Sequence, residues 1–182
     1  MNHWLVLVLV AAPMFAASGQ DRPRDAREDS LASRYSRAFA SGPFLRDTTT
    51  SVRDSLPVDS IVLRRHGCLG PCPIYTVVLY RDGRAHYVGG NDAPRRGEWS
   101  GHVPLFEYVR LVYLIEYLQF ATLDSSYSRW VTDMPGVWVT VGWRGSRGRQ
   151  TVYDYALYGP PRLWALEEAV DAVSSRVEWG KK

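Results

Sequence analysis

The chain has 182 residues, 46% apolar and 13% aromatic, with 22 basic against 19 acidic side chains and a net charge of +3. That balance excludes a disordered chain, a collagen-like repeat and an acidic tail protein. The length suits one domain with a core of its own.

Residues 1–19 begin with an apolar run, Leu5 to Val10, followed by the small-residue stretch Ala11 to Gly19. The run is shorter than the roughly 20 residues a bilayer span needs, and it ends as a secretory signal does. Cleavage after Gly19 is expected, which places the mature protein in the periplasm or outside the cell, with no stable membrane span. An uncleaved anchor is the alternative, because Asn2, His3 and Trp4 supply no Lys or Arg.

Residues 20–55 are polar. Leu31, Tyr35 and Phe39 recur at helical spacing, so a short helix fits there, and Asp47 to Asp54 reads as linker. The core domain is expected over 56–182. Ser60–Arg65 and Ile74–Tyr80 read as strands, the second β-branched and aromatic throughout. Asp82-Gly83 is a hairpin signal, and Ala85–Val88 is the returning strand.

Pro104 opens a helical run from Leu105 to Phe120 whose polar residues share no stripe, which implies burial on most sides. Val137–Trp143 alternates as a half-buried strand does, and Gln150–Leu157 returns beside it. Gly159-Pro160-Pro161 starts the last helix, where Leu163, Leu166, Val170, Val173 and Val177 form an amphipathic stripe. The expected class is α+β: a single antiparallel sheet of about five strands, ordered β-β-β-α-β-β-α, with two helices packed on one face.

Both cysteines, Cys68 and Cys72, lie in the loop His66 to Tyr75, with Gly70 and Pro71 between them. Gly permits unusual dihedrals and Pro fixes one, so the chain can turn sharply there. An oxidising compartment favours a structural disulfide, whose small ring adds about 2 kcal/mol in the loop-entropy picture. A redox-active pair is a second reading, although the spacing is not C-x-x-C and no helix opens behind it. A Cu or Zn site using Cys68, Cys72 and His66 is a third. C-x-x-x-C-P resembles the copper-binding stretch of the thioredoxin-like cytochrome-oxidase assembly proteins, where it runs into a helix; here a strand follows. Two free, packed thiols are the fourth.

Cys68-x-Gly70-x-Cys72-Pro73-x-Tyr75, followed by Asp82-Gly83, Tyr87 and Gly89, resembles a bacterial domain-of-unknown-function family found on exported proteins and lipoproteins. Gly97, Phe120, Leu123, Tyr127, Thr132, Asp133, Asp154, Tyr155 and Trp179 extend the resemblance, which spans Leu56 to Trp179. Unlike the lipoproteins, this chain has no Cys at its expected cleavage site. The resemblance implies an exported domain and no particular activity.

Other side chains are candidates for binding. Trp138 and Thr140 point away from the Val137/Val139/Val141/Trp143 face, so Trp138 marks a second face that could hold a glycan, a peptide or another copy of the chain. Residues 20–54 folding over that face is the alternative. Asp133, Asp154 and Glu167 could supply acid–base carboxylates, or simply pair with Arg. His86 and His102 have no third metal ligand at useful spacing.

Twenty of the 22 basic residues are Arg, interleaved with acids and without a basic run, so nucleic acid is not an expected partner. No phosphate loop or serine elbow occurs, and no cofactor is implied. The chain is expected to be a non-catalytic module binding a partner protein or cell-envelope component. His66, Tyr75, Trp138, Asp133 and Asp154 are the candidate binding residues. The alternative is a thiol-based redox or Cu/Zn module at Cys68 and Cys72.

Overall fold

Strand β1 (Val58–His66) shows how the sheet is built. Ile61 and Leu63 are fully buried while Arg64 and His66 on the alternate positions are exposed. The same period of two runs through β2 (Tyr75–Tyr80), β3 (Arg84–Gly89), β6 (Gly136–Trp143) and β7 (Arg149–Tyr155). The computed structural model describes residues 46–181. The expected signal segment and the Leu31/Tyr35/Phe39 helix lie outside the described residues.

β4 (Gly97–His102), β5 (Ser126–Tyr127) and β8 (Glu178–Lys181) complete a sheet in the order β5-β7-β6-β1-β2-β3-β4-β8. Every pairing is antiparallel except β5 with β7. The fold is α+β as expected, but the sheet has eight strands rather than about five, and it is mixed rather than purely antiparallel. The missed strands have plain causes. β4 carries two glycines and no β-branched residue, β5 is two residues long, and β8 is a short Gly-containing tail.

Helices α2 (Leu105–Tyr117) and α3 (Pro161–Arg176) pack on each other and on the apolar sheet face. Between helices and sheet lie Ile61, Leu63, Val77, Leu79, Val139 and Val141, all fully buried. The expected α3 stripe of Leu163, Leu166, Val170, Val173 and Val177 is buried throughout. Pro161 sits at the first helical position, where its missing N–H costs nothing. α2 is buried along one side only: Tyr108, Val109, Leu111, Val112 and Ile115 face in, while Phe106 and Tyr117 are exposed.

Asp47 to Asp54 is helix rather than linker. It forms most of α1 (Arg46–Ser55), which tertiary contacts hold in place. Val52 and, just beyond the helix, Leu56 enter the core, and Arg53 donates to the carbonyl of Arg81 at 2.5 Å. Arg81 in turn bridges Asp54 and Asp59, each at 2.8 Å, and Arg144 donates to the Asp54 carbonyl. Thr-rich charged sequence has weak helix propensity, so these contacts decide the outcome. Among the described residues, no helix is long and apolar enough to cross a membrane.

Candidate functional site

The sheet face opposite the helices carries the unusual chemistry. Register sets His66 opposite Gly136 and Gly136 opposite Tyr155. One row further in, Arg64 faces Trp138, and Trp138 faces Tyr153. All of these side chains project to the outer face, because Arg65, Val137 and Asp154 alternate with them on the inner one. Trp138 therefore stands in a line of aromatic and cationic groups. Its ring stacks on Tyr153 with centroids 4.3 Å apart and planes 19° from parallel. The Arg64 guanidinium lies 5.4 Å from the Trp138 centroid, and His66 meets it edge-on at 5.8 Å.

Gly136 leaves a gap in the next row. A Cβ there would stand 2.9 Å from the Tyr153 hydroxyl and ring, so the glycine lets the phenol lie across the strand. Two loops wall the gap. Cys68 and Cys72 are joined in a disulfide with Cα atoms 5.6 Å apart, which closes the first loop. Its Leu69 N–H donates to the carbonyl of Asp133 at 3.1 Å, tying it to the second loop. The Met134 N–H donates to the Tyr155 hydroxyl at 3.2 Å and fixes that loop to β7.

The result is an open pocket of about 530 Å³ lined by His66, Cys68, Leu69, Asp133, Trp138, Tyr153 and Tyr155, with Gly67, Ile74 and Met134. Leu69, Ile74 and Met134 are exposed, and Trp130 on the second loop is fully so. Burial, then Tyr155 and Asp154, push the Tyr153 phenol above its ordinary range, so it stays protonated and can donate.

The structure thus brings together His66, Cys68, Asp133 and Trp138. It separates Tyr75 and Asp154 from them. The Asp154 side chain is buried on the inner face, accepting from the N–H groups of Tyr158 and Gly159 and from the Trp164 indole, each at 2.8 Å. It shapes the turn into α3. Glu167 lies nearby, 2% exposed, with Oε1 unpartnered; burial and then the Asp154 charge push its carboxyl up to about 8. Tyr75 faces α3, where its hydroxyl donates to Asp171 at 2.5 Å. Arg65 donates to the same carboxylate from Nε at 2.8 Å and from Nη2 at 2.5 Å. This network fastens β1 and β2 to α3.

Cys68 and Cys72 are paired with each other, so neither offers a thiolate to a metal here. Tyr153, Tyr155 and Gly136 are site residues that sequence reasoning missed. Tyr153 and Tyr155 alternate with Asp154, which marks a shared face, but only the register places that face beside Trp138.

An α+β sheet with helices on one side and an aromatic pocket on the other is the class these observations define. Residues 59–174 match the family model described as a domain of unknown function, DUF6438, and the chain belongs to that family. The match runs from β1 into α3 and takes in every residue of the pocket; α1 and β8 lie beyond it. No curated protein matches the chain.

Proposed function

We propose that this protein is an exported, non-catalytic binding module whose pocket at the His66 end of the outer sheet face holds part of a partner protein or cell-envelope component. The observation that carries the reading is the aromatic line of Tyr153, Trp138 and His66 at the edge of a cavity that two mutually bonded loops hold open. Binding surfaces are enriched in Trp, Tyr, Met and Arg, and this end of the sheet presents all four. Against catalysis stands the placement of the acids. Asp133 lines the pocket and Asp154 is buried on the opposite face, so the two cannot act on one substrate. Export rests on the residue pattern of 1–19.

The test is photocross-linking in the exporting host, with a photoreactive residue at Leu69, Trp130 or, as a control, Arg110 on α2. The same adduct at Leu69 and Trp130, absent at Arg110, supports the pocket as the binding face. No adduct at either position, or one shared by Arg110, removes it. The N-terminus of the recovered protein tests the other half. A start near Gln20 supports export with cleavage, and a cytoplasmic chain retaining residues 1–19 overturns it.

A further inference from the structure

Resting on that reading, we infer that the pocket takes a neutral saccharide. The argument begins with unused hydrogen-bonding capacity. Asp133 and Tyr153 line the cavity, and neither the carboxylate nor the hydroxyl is engaged by another described group; His66 spends only Nδ1, on the carbonyl of Gly67 at 3.1 Å. A carboxylate accepts, a protonated phenol donates and accepts, and the free Nε2 of a neutral imidazole whose Nδ1–H donates to a carbonyl accepts. Hydroxyl groups of a sugar satisfy all three at once.

The aromatic groups supply the other half of such a site. Aromatic faces carry negative quadrupole density, which suits the weakly positive C–H face of a pyranose ring. Tyr153 and Tyr155 line the cavity, with Tyr153 lying across Gly136. The volume of about 530 Å³ falls within the roughly 300–1,000 Å³ of small-ligand pockets.

Charge decides against other ligand classes. An anion would meet the Asp133 carboxylate. An ammonium group would normally claim the indole face, but the Arg64 guanidinium already lies against Trp138. With one carboxylate at Asp133 and one guanidinium at Arg64 beside Trp138, the site carries little net charge. An extended peptide would gain no main-chain pairing, because the strands beneath the pocket, β1, β6 and β7, are already hydrogen-bonded to one another.

The experiment uses the full mature chain and three neutral trisaccharides as probes: chitotriose, cellotriose and maltotriose. Choline and trigalacturonate serve as the cationic and anionic comparisons. The readout is the NMR shift of the Trp138 indole N–H. The expected result is saturable binding of at least one neutral trisaccharide, changed less than about twofold between roughly 50 and 500 mM NaCl, because no ion pair is involved. Asp133→Asn should weaken it by about fivefold or more, since an amide cannot replace both acceptor oxygens. Asn also tolerates the positive φ of 63° at this position, so the loop keeps its shape. Gly136→Ala should weaken it further by displacing the Tyr153 ring.

Binding of choline or trigalacturonate in place of the neutral sugars overturns the inference. So does saccharide binding that both variants leave unchanged. If no sugar shifts Trp138 while the Leu69 and Trp130 cross-links persist, the saccharide inference falls and the pocket stands. If the cross-links are also missing, both fall.

Discussion

Tyr75 and Asp171 lie 96 residues apart in sequence and meet at 2.5 Å, phenol to carboxylate. Burial, followed by that hydrogen bond, raises the Tyr75 pKa, so the hydroxyl keeps its proton across the physiological range. The contact joins the strand that follows the disulfide loop to α3. Tyr75→Phe removes this bond and the one the hydroxyl accepts from Arg65 Nε at 3.1 Å, while Arg65 continues to neutralise Asp171. The expected cost is about 1.5–3 kcal/mol, read as a lowered denaturant midpoint with unchanged slope. Asp171→Ala should cost more, because it leaves the mostly buried Arg65 with only the exposed Glu168, at 3.4 Å, as a carboxylate partner. Equal effects from the two variants would show that Arg65 finds another partner.

Asp154 accepts three hydrogen bonds from groups that have little else to bond. Asp154→Asn keeps the acceptor for the Tyr158 and Gly159 N–H groups but turns an amide N–H toward the Trp164 indole, which can only donate. A loss of about 2–3 kcal/mol is expected, with a changed Trp164 fluorescence signal. A variant as stable as the parent would mean that the turn into α3 does not depend on this carboxylate.

Glu167 gives the stability a pH dependence of defined sign. Its folded pKa is raised to about 8, against 4.5 for an ordinary Glu. The unfolded chain therefore releases this proton first as pH rises. Glu167 contributes fully below about pH 4.5, and its contribution is lost as pH climbs through the folded value near 8. Thermal melts of the wild type and Glu167→Gln should converge at the acid end, with the variant gaining relative stability up to pH 8. Parallel pH profiles for the two proteins would count against a buried, protonated Glu167.

The disulfide closes a ring of five residues, so its effect on global stability is small. Replacing Cys68 and Cys72 together by Ser should cost about 2 kcal/mol or less. The local effect should be larger: faster hydrogen exchange at the Leu69 amide, whose bond to Asp133 depends on the loop's shape. Unchanged exchange at Leu69 would mean that Gly70, Pro71 and the neighbouring contacts hold the loop unaided.

Periodicity made the interior legible. The alternation in Val137–Trp143 and the stripe from Leu163 to Val177 each report a face buried along its whole length, and local sequence encodes that directly. Gly97–His102 has no such pattern. It is a strand because β3 and β8 pair with it, setting Trp99 opposite Tyr87 and Lys181. The α1 helix is similar: Arg53 and Val52 find distant partners that propensity does not register.

The pocket was legible by half. Its residue types were visible in His66, Cys68, Asp133 and Trp138, yet their convergence depends on the pairing of β1 with β6, about 70 residues later in the chain. A shift of one residue in that register would turn Trp138 and His66 toward opposite faces.

The clamp of Arg53, Asp54 and Arg81 also has a mechanical meaning. It lies at the Val58 end of β1, whereas the pocket lies at the His66 end; the eight steps between them, at about 3.3 Å each, put the two roughly 26 Å apart. Tension arriving through the chain ahead of β1 is taken up by that ion-paired corner. The strand runs antiparallel to both neighbours, so a pull along it is resisted by every rung of two ladders in shear. A domain hung from its leading segment would carry load at one end and keep its pocket slack at the other.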